Sequence, residues 1–355
     1  MLDSTQRAAV EMNCHLLVPD LFWPAAAGAE PYRGLALPAL ETLLGRGHHT
    51  KTPGQSVERW FADAYRIGSQ HDLPLAPLAL RGDGGEPGDD WWVQADPVHL
   101  RVHGDHLILA EASRFPLARD EAQQFVATLN SHFSEAGITF AAPQPQRWYA
   151  RVKSEPRLRT TPTGEIAGRN VDRFLPAGDD GARWRSAFNE VQMLLHEHPC
   201  NQAREARGDL PINGVWFWGA GRMPRIAAGA AFAAVWSDHP LARGLALASG
   251  ITPRPVPATG SELLAELDGG LRNQAFLVAP APLPGTDYGD ITAWCGAVLA
   301  LERDWVSPLL AAAQKAAIEI TLHALGPDFG LTCEFSRRDN LRLWRRRRPL
   351  RAYAE

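Results

Sequence analysis

The sequence predicts an α/β protein: a doubly wound, mostly parallel sheet interrupted by a smaller inserted α+β domain. Three observations lead there. At both ends of the chain, short apolar runs of strand length alternate with stretches of helical apolar spacing. Between them lies a block of roughly 100 residues, the size of a small domain, with α+β character. The chain has 355 residues, 45% of them apolar and 21% charged, which is enough for two domains with ordinary cores.

The elements follow in order. His15–Pro19 is a short apolar run ending at Asp20, and reads as a buried first strand. Pro38–Gly47 has helical spacing through Leu40, Leu43 and Leu44 and stops at glycine. Ser56–Ile67 repeats that spacing, with Ser56 as the expected cap. Residues 81–90 form a turn-rich acidic loop. Two strand-like runs over 91–111 meet at Gly104–Asp105, a hairpin signal. Glu121–Ala136 is an amphipathic helix, and 140–180 holds strand-like pieces cut by Pro and Gly. Trp184–His198 is helical, and Asn213–Trp218 is a buried strand that runs into a turn, Gly219–Pro224. Ala227–Trp236 and Leu241–Ala248 read as helices, Gln274–Ala279 as a strand, Trp294–Lys315 as helical and Ile318–Ala324 as a strand. No internal repeat is visible.

Composition narrows the function classes. A net charge of −4 gives no global case for nucleic-acid or anionic-membrane binding. Cys14, Cys200, Cys295 and Cys333 form no close pair, so they read as reduced core thiols of a cytoplasmic protein. The N-terminus lacks a basic region followed by an apolar run, so no signal peptide is expected. No run approaches the roughly 18 apolar residues of a membrane helix.

Several residues could carry chemistry. Asp20 stands at the carboxyl end of a strand, where α/β proteins bind ligands and hard metals; it could equally be a turn or cap acid. His99 and His103 share a strand face, but Asp96 and His106 fall out of register with them, so this cluster reads as a hairpin rather than a metal site. His196 and His198 sit at a helix end, where the dipole alone favours them. The Gly219–Pro224 segment could present backbone N–H groups to an anion, or be a plain turn. Arg345–Arg348 beside Trp344 could bind phosphate or RNA, serve as an interaction module, or be a solvated charge run. No GxSxG or Walker motif occurs.

The block Ser186–Pro224 carries more than its chemistry. It has a helix, then His198–Pro199–x–Asn201, then Leu210–Pro211–x–Asn213 entering a strand, then Gly219–Ala220–Gly221. In this it resembles the archaeal-type, cofactor-independent phosphoglycerate mutases of the alkaline phosphatase superfamily. Leu37–Gly47 is similar to that family's early helix, and Ala95–Arg101 with the residues after it to its inserted domain. The GGEPGDDWWVQADPVHLR stretch resembles a bacterial branch whose members are described either as phosphoglycerate mutases or as regulatory proteins of the pathogenicity-factor type. The resemblance implies an alkaline-phosphatase-like domain over residues 1–92 and 186–355, with an inserted α+β domain over 93–185.

It also implies two divalent metals held by Asp and His, and a Ser that accepts the phosphoryl group. Carried over residue by residue, Asp20 matches the first acidic ligand and Ser56 is the nearest nucleophile. Asp287 and Asp290 stand in the later ligand loop, Ala279–Asp290, which contains no His. Asp328 stands alone in Leu325–Phe335, where an Asp–His pair is expected. The candidates for substrate contact are Arg101, Asn213, Gly219, Gly221 and Arg222. A site stripped of imidazoles should hold Mn²⁺ or Zn²⁺ weakly. The expectation is therefore a non-catalytic, regulatory or phosphometabolite-sensing protein, with a small phosphorylated metabolite as partner and neither nucleic acid nor membrane. The alternative is an active, 2,3-bisphosphoglycerate-independent phosphomutase or phosphatase with a rearranged metal site.

Overall fold

The computed structural model describes residues 12–24, 30–104, 106–112, 115–166, 169–226, 231–267, 274–283, 290–342 and 344–354. Among these the strands are β1 (Met12–Pro19), β2 (His48–Pro53), β3 (Trp91–His103), β4 (His106–Glu111), β5 (Ile138–Gln144), β6 (Arg147–Val152), β7 (Gly214–Gly221), β8 (Ala234–Ser237), β9 (Ala275–Ala279), β10 (Ile318–Leu325) and β11 (Phe329–Phe335). They form two sheets, ordered β2-β11-β10-β1-β9-β8 and β4-β3-β6-β5 with β7 added to β3.

The chain divides into two compact units. The first comprises residues 1–55, 230–239 and 251–355 and contains the six-stranded sheet. Strands β10, β1, β9 and β8 run parallel, and β11 and β2 close one side antiparallel. This mixed α/β sheet with a parallel centre is the expected class. On one face Cys14, Leu16, Val18, Phe276, Ile320, Leu322 and Cys333 pack with Leu40, Trp294, Val298 and Leu309 from the helices. That alternation of buried positions is what a strand with one face on a core requires. The helix Pro38–Arg46 begins with Pro at its first turn, and no residue of its own caps it. Instead the buried Glu302 carboxylate accepts from the N–H groups of Ala39 (2.6 Å) and Leu40 (2.8 Å), putting a negative charge at the helix N-terminus.

The second unit comprises 56–229 and 240–250. Segments 56–92 and 186–229, which the sequence reading placed in the phosphatase-like domain, pack here with the block 93–185. The hairpin forms as expected, with His103 opposite His106. The core is aromatic: Trp184 meets Phe217 edge-on at 4.9 Å, and Phe188 meets Trp216 at 5.8 Å. Helices Ala76–Gly82 and Pro240–Ala248 lie backbone to backbone. A Cβ on Gly82 would fall 1.8 Å from the Pro240 carbonyl oxygen, and one on Gly244 1.8 Å from that of Leu78.

Two expectations are corrected. Ala234–Ser237 is not helical: it is β8, parallel to β9 and buried throughout. The Ala-rich run leading into it, 226–236, favours a helix locally, but pairing inside the sheet overrides that preference. Residues 231–233 are irregular, and 227–230 lie outside the described residues. Gly219–Gly221 is not a turn either, because β7 runs on through Gly221. Between the pairs Trp92–Gly221 and Gln94–Trp218 the register shifts, with Gly219 at φ 68°. This is a β-bulge whose left-handed residue is glycine.

Candidate functional site

The aspartates expected as metal ligands lie in the first unit. Asp20 ends the central strand in a left-handed conformation (φ 60°), which Asp tolerates better than most residues. Its N–H donates to Leu325 O (2.8 Å) and its carbonyl accepts from the Trp294 indole (3.0 Å). Asp290 caps the helix Ile291–Leu301, its carboxylate accepting from Ala293 N at 2.9 Å. The two therefore meet the same first helical turn, through Trp294 and Ala293. Asp287 lies outside the described residues. Asp328 is exposed in the β10–β11 connection. Among the described residues, no three His, Cys, Asp or Glu side chains gather as metal ligands.

The same unit holds a polar contact that the sequence reading missed. On the sheet face opposite the core, His15 Nδ1 lies 2.9 Å from His323 Nε2, with the rings stacked. His323 Nδ1 is 3.3 Å from Thr332 Oγ1. Burial pushes the His15 imidazole down to about 4; burial and then His15's charge push His323 down to about 3. The residues are 308 positions apart, so only the register of β1 against β10 reveals them.

Ser56 and the substrate-contact candidates lie in the second unit. Ser56 caps the helix Val57–Ala64: its hydroxyl accepts from Arg59 N and donates to Glu165 Oε1 at 3.1 Å. Arg59 Nε also donates to Glu165, at 2.5 Å. Arg101 projects from β3 into solvent. Asn213 does the work of a strand residue, accepting from Leu100 N (2.6 Å) and donating to Leu100 O (2.8 Å).

The glycine bulge presents N–H groups, but protein acceptors already meet them. Gly219 N donates to Thr160 Oγ1 (2.9 Å), Ala220 N lies 3.4 Å from Asp72 Oδ2, and Arg222 N donates to Gln70 Oε1 (3.0 Å). Thr160 also hydrogen-bonds Asp72. The anion at this bulge is thus the protein's own largely buried Asp72, whose carboxyl is pushed up by burial against these donors. The Arg222 guanidinium lies over the Trp91 ring, 4.5 Å from its centre. Nearby on β3, Asp96 is buried and accepts from Trp218 Nε1 (2.7 Å), Thr163 Oγ1 (2.8 Å) and Gln94 Nε2 (3.0 Å). Burial still lifts its carboxyl to about 6.

The motif residues before the bulge are also internal. Asn201 donates to Leu195 O (2.7 Å) and Ile212 O (2.8 Å) and accepts from Ile212 N (2.8 Å). His198 caps the next helix through Cys200 N and reaches Thr128 at 3.0 Å. Arg204 is fully buried, 3.0 Å from Glu121, and donates to the carbonyls of Leu210 and Pro116.

No family model matches the chain. A 2,3-bisphosphoglycerate-independent phosphoglycerate mutase of Methanosarcina mazei is 26% identical over 252 residues, covering 66% of this chain and 63% of the relative. One of Methanothrix thermoacetophila is 30% identical over 167 residues, 42% of each. The chain thus spans less than two-thirds of the length of these relatives. A solved structure of a Pyrococcus horikoshii protein matches at a TM-score of 0.58 with 13% identity, covering 92% of this chain and 88% of that one, which establishes the shared fold. The chain accordingly resembles the archaeal-type 2,3-bisphosphoglycerate-independent phosphoglycerate mutases in sequence, at modest identity, and has an α/β fold in keeping with that resemblance.

Proposed function

We propose that this is a phosphoglycerate-mutase-like protein that has kept the family's framework without its two-metal chemistry, and that it serves a regulatory or phosphometabolite-sensing role. One observation carries the reading. The polar residues of the block most like the mutases, His198, Asn201, Arg204, Asn213 and the Gly219–Arg222 bulge, are taken up in internal hydrogen bonds. Resemblance through them speaks for architecture rather than catalysis. The absence of His from 279–290 and from 325–335 points the same way, since divalent transition metals favour imidazole over carboxylate alone. The experiment is a coupled assay of 3- and 2-phosphoglycerate interconversion by purified protein with Mn²⁺ or Zn²⁺. Background rates are expected; enzyme-like turnover would overturn the proposal. A sensing role further expects 3-phosphoglycerate to raise the melting temperature in a saturable way.

A second reading rests on the Ser56–Glu165 contact, which places a carboxylate within hydrogen-bonding distance of a half-buried hydroxyl. An active isomerase or phosphatase could use that pair. Under this reading Ser56→Ala abolishes turnover, whereas under the first there is no turnover to lose.

A further inference from the structure

The first unit carries a cationic border that the mutase resemblance leaves unused. Strand β2 is the outermost strand of the six-stranded sheet, and no described strand pairs with its outer side. His48, His49, Thr50, Lys51 and Pro53 are exposed along it. The C-terminal segment brings its arginines alongside: Arg345 Nη1 donates to Gly47 O at 3.0 Å, and Tyr353 meets the His49 ring edge-on at 5.6 Å. The charges are close enough to act on each other. His49 is held below its ordinary value first by burial and then by Arg345, His48, Arg348 and Lys51. The acids nearby are few: Asp339 is bound by Arg342 (2.8 Å) and Ser336, Glu334 pairs opposite His48 on β11, and Glu41 feels Arg347. Beside the arginines stand two bare apolar side chains, Leu341 at 72% exposure and Trp344 at 76%.

We infer that the open edge of β2, the arginines Arg345–Arg348 and the exposed Leu341 and Trp344 form a docking surface for an acidic, extended polypeptide segment. Charge complementarity selects an acidic partner. The outer edge of β2, which no described strand pairs, selects an extended one, because such an edge can accept a further strand. Trp and Arg together are the side chains that most often anchor protein interfaces. A nucleic acid could use the arginines and the Trp344 ring, but not the strand edge or aliphatic Leu341, and the chain's net charge of −4 would oppose a long polyanion.

The test is fluorescence anisotropy with the full chain and three labelled probes: a peptide of alternating Glu and Val, its Gln analogue, and oligo-dT. The acidic peptide should bind at least about tenfold more tightly than the Gln analogue, and weaken with salt as exposed charge pairs do. Both Trp344→Ala and Arg347→Glu/Arg348→Glu should weaken it by about tenfold or more, as loss of an interface anchor does. All three substituted side chains are exposed, so an unchanged melting temperature separates lost binding from lost fold. Tighter binding of oligo-dT than of the peptide, equal binding of the Gln analogue, or peptide binding indifferent to both variants would overturn the inference.

Discussion

Asn201 satisfies three backbone groups at once, tying the end of one helix to the approach of β7 through Leu195 and Ile212. Replacing it by Ala leaves buried groups unmet, which costs about 1–3 kcal/mol. Urea unfolding of Asn201→Ala should show that loss with no change in any ligand response; a near-neutral variant would mean that the motif serves something other than the fold. The His15–His323 pair yields a pH prediction. Both imidazoles are held in the folded state at about 4 and about 3, below their ordinary value of 6.5. The unfolded chain therefore binds protons first. The stability that the neutral pair contributes is complete above pH 6.5 and is lost as pH falls towards 4 and then 3. Asp96 works in the opposite sense: its folded value, raised from 3.8 to about 6, gives a contribution present at low pH and lost as pH rises through 6. The wild-type profile mixes the two, so the informative comparison is between wild type and His323→Gln. Between pH 7 and pH 5 the urea midpoint should drop less in the variant; equal drops would remove the pair from the account.

At the scale of elements, the contact between the helices Ala76–Gly82 and Pro240–Ala248 depends on having no Cβ at Gly82 and Gly244. Gly244→Ala must push the helices apart, and such overpacking typically costs about 1–3 kcal/mol. A lowered melting temperature is expected. An unchanged one would mean that the helices do not pack backbone to backbone. Much of the element order was legible in the sequence, and the exceptions have causes. The run ending at Pro19 reads as a strand because Leu16, Leu17 and Val18 are all buried. The hairpin is marked by Gly104–Asp105. By contrast, β8 ends an Ala-rich run and looks helical until its pairing with β9 is known. Strand β2, HHTKTP, has no apolar alternation, because an exposed edge strand needs none. The glycines after Trp218 read as a turn because a bulge and a turn call for the same left-handed residue. As for the site, Ser56 was legible as a helix cap, while its partner Glu165 is 109 residues away and was not.

At the scale of the whole molecule, the proposed function holds that likeness to the mutases and capacity for their chemistry come apart. The motif block Ser186–Pro224 lies in the second unit, and its polar residues hold that unit together. The expected metal ligands belong to the first, where Asp290 acts as a helix cap and Asp20 is tied by its backbone to β10 and Trp294. The most direct measurement is calorimetric titration of metal-stripped, full-length protein with Mn²⁺ and with Zn²⁺. The account expects no stoichiometric, tight binding of either ion. Two ions bound per chain, with an affinity lost in Asp20→Asn, would contradict it and restore the phosphomutase reading.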